Sequence, residues 1–306
     1  MFEARNALGR RSFLAALGGA VGAVFFPRLG RAADPTPESI TVLRAARLFD
    51  GVAMHAPGVL VLRGDRIVSM TAGDAGSDAR VLDLGDATLM PGLIDAHTHV
   101  AAGIVSSRYL EAVARRDSVA DSIAEATLLS IKNATSMLAN GFTTIRDVGG
   151  GAGIDLAMRD AIARGAITGP RILAAGTALS ITGGHGDLND LPDFVHLDDD
   201  YQPGTAYGPY GFREQVRQHV KRHVDLIKIT ATGGVLSYGD TFDVPQLNLD
   251  EIQAVVDEAT KFGRKVSAHC HGDKGIALAV EGGCHSIEHC TGVEAKTLEN
   301  MGASGL

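Results

Sequence analysis

Residues 90–99 read Met90-Pro91-Gly92-Leu93-Ile94-Asp95-Ala96-His97-Thr98-His99. Pro91-Gly92 marks a change of rhythm in the chain, and a short apolar strand follows it. That strand ends in two histidines one residue apart. Side chains alternate across a strand, so both imidazoles face the same way. Two neutral imidazoles side by side are a ready metal clamp, and the apolar strand beneath them fixes their depth and direction.

Downstream, short apolar strands alternate with longer helical stretches. The candidate strands are 93–97, 143–147, 171–175, 226–230, 265–269 and 286–289, and the helical stretches are 119–139, 156–164, 212–223, 250–262 and 274–281. Asn140-Gly141 and Gly263 sit where helices should end, and Asp250 sits where one should start. Repeated βα units predict the α/β class and a (β/α)8-type barrel with its site at the C-terminal strand ends. About six units can be read before Leu306 where a closed barrel needs eight, so the expected barrel, residues 91–306, is incomplete.

Upstream, residues 34–90 show a different pattern. Short runs such as Ile40-Thr41-Val42-Leu43, Val59-Leu60-Val61-Leu62 and Ile67-Val68-Ser69-Met70 are punctuated by Gly and Asp. They predict hairpins in a small antiparallel β domain. Further upstream, Arg10-Arg11-Ser12-Phe13-Leu14 opens an uncharged run from Phe13 to Phe26, fourteen residues and too short to cross a bilayer as a helix. Small residues follow at Gly30, Ala32 and Ala33. Residues 1–33 therefore read as an export signal of twin-arginine type, and the mature protein is expected in the periplasm or secreted, free of the membrane once cleaved.

Composition narrows the functional classes. The chain has 306 residues, 28 basic and 36 acidic side chains, and a net charge of −8. Residues 1–33 hold five arginines and one glutamate, so without them the balance is 23 to 35, a net charge of −12. An acidic chain with no Trp and 5% aromatics offers neither a phosphate-neutralising surface nor a stacking platform, which argues against nucleic-acid partners. The three cysteines, Cys270, Cys284 and Cys290, cannot make a complete disulfide framework.

The strand-end pattern of the opening stretch recurs. Ser267-Ala268-His269-Cys270-His271 ends one candidate strand and Ile287-Glu288-His289 ends the next, so several histidines converge on one barrel opening. Lys228 interrupts the apolar strand Leu226-Ile227-Lys228-Ile229-Thr230. A lysine pointed into such a barrel must pair with an acid or lose its charge. A neutral amine can take up carbon dioxide as a carbamate that bridges two cations. Other residues read as background: His219 and His223 as solvated positions of an outer helix, Asp198-Asp199-Asp200 as a loop, and Cys270 as a small residue facing the helices. His55, His196 and His285 show no partner pattern. Asp147 is left open between buttressing a histidine and capping the following loop.

With these motifs in view, the chain resembles the amidohydrolase superfamily from about Ile40 to Gly302. The resemblance rests on residues 90–99, on Ile227-Lys228-Ile229, on His269 with His271, and on Ile287-Glu288-His289. It implies that His97, His99, His269 and His289 are metal ligands and that carboxylated Lys228 bridges two divalent ions, taken as zinc. Thr182-Gly183-Gly184-His185-Gly186-Asp187 and Thr232-Gly233-Gly234-Val235-Leu236-Ser237 resemble the imidazolonepropionase-like branch, which includes metallo-dipeptidases acting on Xaa-Pro or Xaa-Arg/Lys substrates and amidases of N-acyl amino acids. By the same resemblance His185 and His271 contact the substrate carbonyl or carboxylate, and the small β domain is the N-terminal half of a composite sandwich.

The implied activity is hydrolysis of a dipeptide or N-acyl amino acid by a metal-activated bridging hydroxide. Superfamily members take their acid/base from an Asp on the eighth strand, which this sequence does not reach. Two alternatives therefore stand beside that activity: a truncated, catalytically inactive metal-binding product, and a cyclic-amide hydrolase or deaminase with a single metal. An open barrel edge also allows pairing with a second copy of the chain.

Overall fold

The computed structural model describes residues 39–70, 78–102, 123–187, 189, 204–235 and 241–306. The export signal read over 1–33, residues 119–122 of the first expected helix, His196, Asp198-Asp199-Asp200 and Leu236-Ser237 lie outside the described residues. The chain divides between Pro91 and Gly92 into two compact units.

Among the described residues the first unit holds seven short strands: β1 (Ile40–Ala45), β2 (Arg47–Phe49), β3 (Met54–His55), β4 (Gly58–Arg63), β5 (Arg66–Ser69), β6 (Arg80–Asp83) and β7 (Thr88–Leu89). One sheet runs β5-β4-β1-β6 and the other β3-β2-β7. Val42 faces Val61 across β1 and β4, and both are fully buried, which pins the register of that pair. The hairpin β4–β5 turns at Gly64-Asp65, as the sequence predicts. The expectation of a purely antiparallel unit needs correction, because β6 joins β1 and β7 joins β2 in parallel. These partners are separated by intervening strands, so no tight turn dictates their relative direction.

The second unit is parallel throughout its strands. They are β8 (Leu93–Thr98), β9 (Phe142–Asp147), β10 (Arg171–Ala174), β11 (Leu179–Ser180), β12 (Gly204–Thr205), β13 (Leu226–Thr230), β14 (Lys265–Gly272) and β15 (Ser286–Gly292). The helices between them are α1 (Ile123–Ala139), α2 (Ile154–Ala163), α3 (Gly208–Lys221), α4 (Leu249–Lys261), α5 (Asp273–Glu281) and α6 (Ala295–Ser304). One sheet has the order β10-β9-β8 and the other β12-β11-β13-β14-β15. The six strands expected from the sequence are present. β11 and β12 were not expected, and each is two residues long, too short to carry a periodic signal.

Two apolar clusters hold the helices to the strands. Ile145, Met158, Ile172 and Ala134 pack under β9 and β10, while Phe212, Val216, Ile227, Ile229, Ile252, Val255 and Ile276 pack under β13 and β14. Glu251 ties two helix starts together: Oε2 accepts the Asn248 N–H at 2.9 Å ahead of α4, and Oε1 accepts the Gly208 N–H at 3.0 Å at the start of α3. The buried Glu258 carboxylate of α4 receives Arg217 of α3 at 2.7 Å, clamping α3 to α4, and Lys261 of its own helix at 2.9 Å. This packing fixes which residues meet across the strands: Thr230 opposite His269, His269 opposite Glu288, and Cys270 opposite His289. Among the described residues no helix is long and apolar enough to cross a membrane.

Candidate metal centre

Six imidazoles form one connected group. His97 lies 5.2 Å from His99 and 4.7 Å from His289, ring centre to ring centre. His269 is 4.6 Å from His289, 4.7 Å from His271 and 4.3 Å from His185. His271 and His289 are stacked at 4.6 Å. Donor atoms of His269, His271 and His289 all fall within 4.8 Å of one another, close enough for a single divalent ion to gather them. The structure thus brings together all the histidines that the sequence singles out for metal or substrate, and these come from β8 and the residue just past it, β14, β15 and the loop after β11.

Lys228 lies beneath them on β13, only 2% exposed. Burial pushes its ammonium down to about 8, against the opposing pull of the Glu288 carboxylate. Its charge reaches His99, His269 and His289 and helps to hold their pKa values down.

The partners of the rings decide which nitrogen carries the proton. His97 Nδ1 meets Glu288 Oε2 at 2.8 Å, His99 Nδ1 meets the Gly149 carbonyl at 3.3 Å, and His269 Nε2 meets the Gly233 carbonyl at 3.0 Å. An ionised carboxylate or a carbonyl can only accept, so each of these nitrogens must donate. The lone pair is left on the other nitrogen: Nε2 of His97, Nε2 of His99 and Nδ1 of His269. His271 Nδ1 has Thr291 Oγ1 at 2.9 Å. Burial, followed by neighbouring cationic charge, lowers His269 to about 2, and burial also lowers His99 and His289 to about 4. The neutral imidazoles of His99, His269 and His289 offer lone pairs of the kind a divalent ion such as zinc would take.

Local backbone features build this arrangement. His289 and Cys290 both adopt positive φ, 69° and 54°. The pairing of β14 with β15 shifts after Cys270, with one extra residue on β15 before Gly292. This bulge breaks the alternation of a regular strand. Glu288 and His289, adjacent in sequence, both reach the cluster as a result. His185 is held by its own N–H, which donates to Gln246 Oε1 at 2.9 Å, and its ring rests on Gly234.

Sequence reading missed two participants, Arg146 and Glu288. Arg146 donates to Glu288 Oε1 at 2.6 Å, and Ser267 Oγ donates to the same oxygen at 2.6 Å. Burial opposes the ionised form of Glu288, but the hydrogen bonds from His97, Ser267 and Ser286 outweigh it and hold the carboxyl well below the usual range. Arg146 and Glu288 both lie in strands rich in polar residues, Phe142–Asp147 and Ser286–Gly292, so neither charge stands out from its local sequence. Of the two roles left open for Asp147 the structure shows loop capping: Oδ2 accepts the Ala101 N–H at 3.1 Å and Oδ1 accepts the Gly149 N–H at 3.3 Å. Burial and then the nearby Asp155 carboxylate push Asp147 up to about 7.

One background reading is overturned. His219 is not solvated but 3% exposed, with Nδ1 at 2.9 Å from the Gln215 carbonyl and Nε2 at 2.8 Å from the Thr177 carbonyl. The helix face that looked polar turns inward at this position because the ring joins α3 to the loop after β10. His55, outside the cluster in the first unit, pairs with Asp50 at 2.7 Å.

A family model described as Amidohydrolase family matches residues 88–305. Ochratoxinase from Aspergillus niger is 30% identical over 285 residues, covering 87% of this chain and 58% of that protein. Imidazolonepropionase from Symbiobacterium thermophilum is 25% identical over 293 residues, covering 86% of this chain and 64% of its own. Among solved structures, a Xaa-Pro dipeptidase with methionine bound in its active site is 33% identical with a TM-score of 0.78, over 87% of this chain and 65% of that one. The chain therefore spans somewhat under two thirds of the length of each of these relatives.

Proposed function

The chain belongs to the amidohydrolase family, and from that premise we propose that it is a metal-dependent hydrolase of amide bonds in dipeptides or N-acyl amino acids. The observation that carries this reading is the cluster of six histidines above the buried Lys228. In it His97, His99, His269 and His289 would hold divalent ions, with zinc a good match to imidazole ligands, and Lys228, once carboxylated, would supply an anionic oxygen ligand. Such ions polarise an amide carbonyl and make a water nucleophilic near neutral pH.

The chain's own side chains supply the rest. Glu288, Gly149 and Gly233 keep the protons of His97, His99 and His269 on one ring nitrogen each, so that the other would be free to bind an ion. His185 and His271 stand at the edge of the cluster and contact the substrate's carbonyl or carboxylate, His185 anchored through Gln246 and His271 through Thr291. Phe242, half exposed and 6.1 Å from His271 in an edge-to-face arrangement, borders the same opening. The Arg10-Arg11 segment supports export, so the reaction is assigned to the periplasm or the exterior.

A second reading has one observation in its favour. The trio His269, His271 and His289 alone can gather a single ion, which suits a one-metal cyclic-amide hydrolase or deaminase. Metal stoichiometry separates the two readings. The test is to assay the full chain with added zinc and bicarbonate against Xaa-Pro and Xaa-Arg dipeptides, N-acyl amino acids and cyclic amides. Turnover of the open-chain amides, lost on chelation and restored by metal, is expected at two ions per chain. A folded, zinc-loaded chain that cleaves none of the open-chain amides would overturn the proposal.

A further inference from the structure

The His cluster is split between two sheets. His97 lies on β8 of the β8–β9–β10 sheet and His99 just past the end of that strand, whereas His269, His271 and His289 belong to the sheet that contains β14 and β15. One buried carboxylate reaches both. Glu288, 6% exposed on β15, accepts from His97 Nδ1 through Oε2 at 2.8 Å. Its Oε1 accepts from Arg146 of β9 at 2.6 Å, from Ser267 of β14 at 2.6 Å and from Ser286 of β15 at 2.9 Å. Arg146 extends the connection, donating through Nε to the Ala96 carbonyl of β8 at 2.5 Å and through a second guanidinium nitrogen to Ser286 at 3.1 Å. Four strands are joined through one side chain.

We propose that Glu288, clamped by Arg146, is a positioning residue that sets the tautomer of His97 and the placing of one half of the metal site against the other. The inference rests on the metal-binding reading above for its consequence, and on hydrogen-bond chemistry alone for its mechanism. The two carboxylate oxygens are not equivalent. Oε1 is surrounded by donors, and Oε2 faces the ring. An ionised carboxylate accepts at both positions, so the His97 proton sits on Nδ1 and the Nε2 lone pair is free. In Glu288→Gln the side chain keeps its shape but has one accepting and one donating end. The guanidinium requires the accepting end at the Oε1 position, which turns the NH2 toward His97 Nδ1. That nitrogen must then accept, and the proton moves to Nε2, removing the lone pair that would bind metal.

The experiment has two independent readouts on the full chain. In the metal-free protein at alkaline pH, nitrogen-15 imidazole shifts report which ring nitrogen of His97 carries the proton. The wild type is expected to show Nδ1–H and Glu288→Gln to show Nε2–H. In the second readout, competition with a chelator measures zinc affinity, which is expected to fall about 10–100-fold in Glu288→Gln. An Nε2–H tautomer in the wild type overturns the proposal by itself, even if the variant fails to fold. So does an unchanged tautomer in the variant, or an unchanged zinc affinity in a chain that binds zinc. If the wild type binds no zinc, the proposed function fails, while the tautomer measurement still decides the role of Glu288.

Discussion

The His185 imidazole is packed against Gly234 with no space for a Cβ between them. The ring is thereby held 4.3 Å from His269, at the edge of the cluster. Its loop is short of regular structure, so this contact and the Gln246 hydrogen bond do the work that a strand does for the other histidines.

Gly234→Ala must therefore displace the ring. The expected outcome is at least a tenfold loss in kcat/KM with zinc affinity retained, because His185 is outside the proposed ligand set. His185→Ala should cost about as much. If the two act through one contact, the double variant is no worse than either alone, a clear departure from additivity. Losses that simply add in the double variant would show that Gly234 acts by another route.

Acid should weaken the metal-free chain in a defined window. His99 and His289 are lowered to about 4, and His269 to about 2, chiefly by burial. Their unfolded value is near 6.5, so the unfolded chain binds more protons as pH falls below that point. Stability is thus expected to decline as pH drops from about 6.5 toward 4. Saturating zinc adds stability by mass action, about 2.7 kcal/mol at a concentration 100 times Kd. Denaturant melts across this pH range, with and without zinc, check both statements. The raised Asp147 and Asp155 work in the opposite direction and offset part of this loss, so a metal-free protein that becomes more stable as pH falls from about 6.5 to 4 contradicts the buried neutral imidazoles.

Much of this site was legible because it obeys simple periodicity. The strand of residues 93–98 carries His97 and delivers His99 immediately past its end, and His269 and His271 alternate along β14. The hydrophobic runs around Lys228 marked its strand correctly. What escaped the sequence depended on contacts between distant residues. Arg146 and Glu288 are 142 positions apart, and nothing local to either identifies the other. His219 looked solvated because its helix neighbours are polar, whereas two carbonyls, one of them 42 positions away, hold it inside. The two-residue strands β11 and β12 are defined by pairing rather than by pattern.

Lys228 separates stability from activity. Burial lowers its pKa from 10.5 to about 8, so near neutral pH the folded chain carries an ammonium that it solvates poorly. The unfolded chain holds that proton more tightly, and stability rises with pH until the unfolded amine also titrates. Lys228→Met keeps the volume and removes the charge. It is expected to stabilise the metal-free chain by roughly 1–4 kcal/mol near neutrality, an advantage that shrinks at alkaline pH. The same variant should lose any dependence of turnover on bicarbonate, together with the turnover itself. Thermal melts and bicarbonate titrations test the two halves separately, and a less stable, still bicarbonate-dependent variant contradicts both.

The bulge on β15 makes the sharpest prediction about backbone. Cys290 holds φ at 54° next to His289 at 69°, a left-handed pair that ordinary side chains disfavour by roughly 1–2 kcal/mol per residue. The His289 side chain is needed in the cluster, but that of Cys290 faces away from it, with its sulfur 4.0 Å from Met301 Sδ. Cys290→Gly should relieve the strain at the cost of this half-buried contact, for a net effect between neutral and about 1 kcal/mol stabilising. Cys290→Val puts a β-branched side chain where φ is positive and should cost more than about 1 kcal/mol, with zinc affinity falling as His289 loses its aim. Denaturant midpoints rank the three proteins Gly, Cys, Val from most to least stable if the strained turn is what directs His289. Equal midpoints for Gly and Val would mean that β15 reaches the cluster without the left-handed turn.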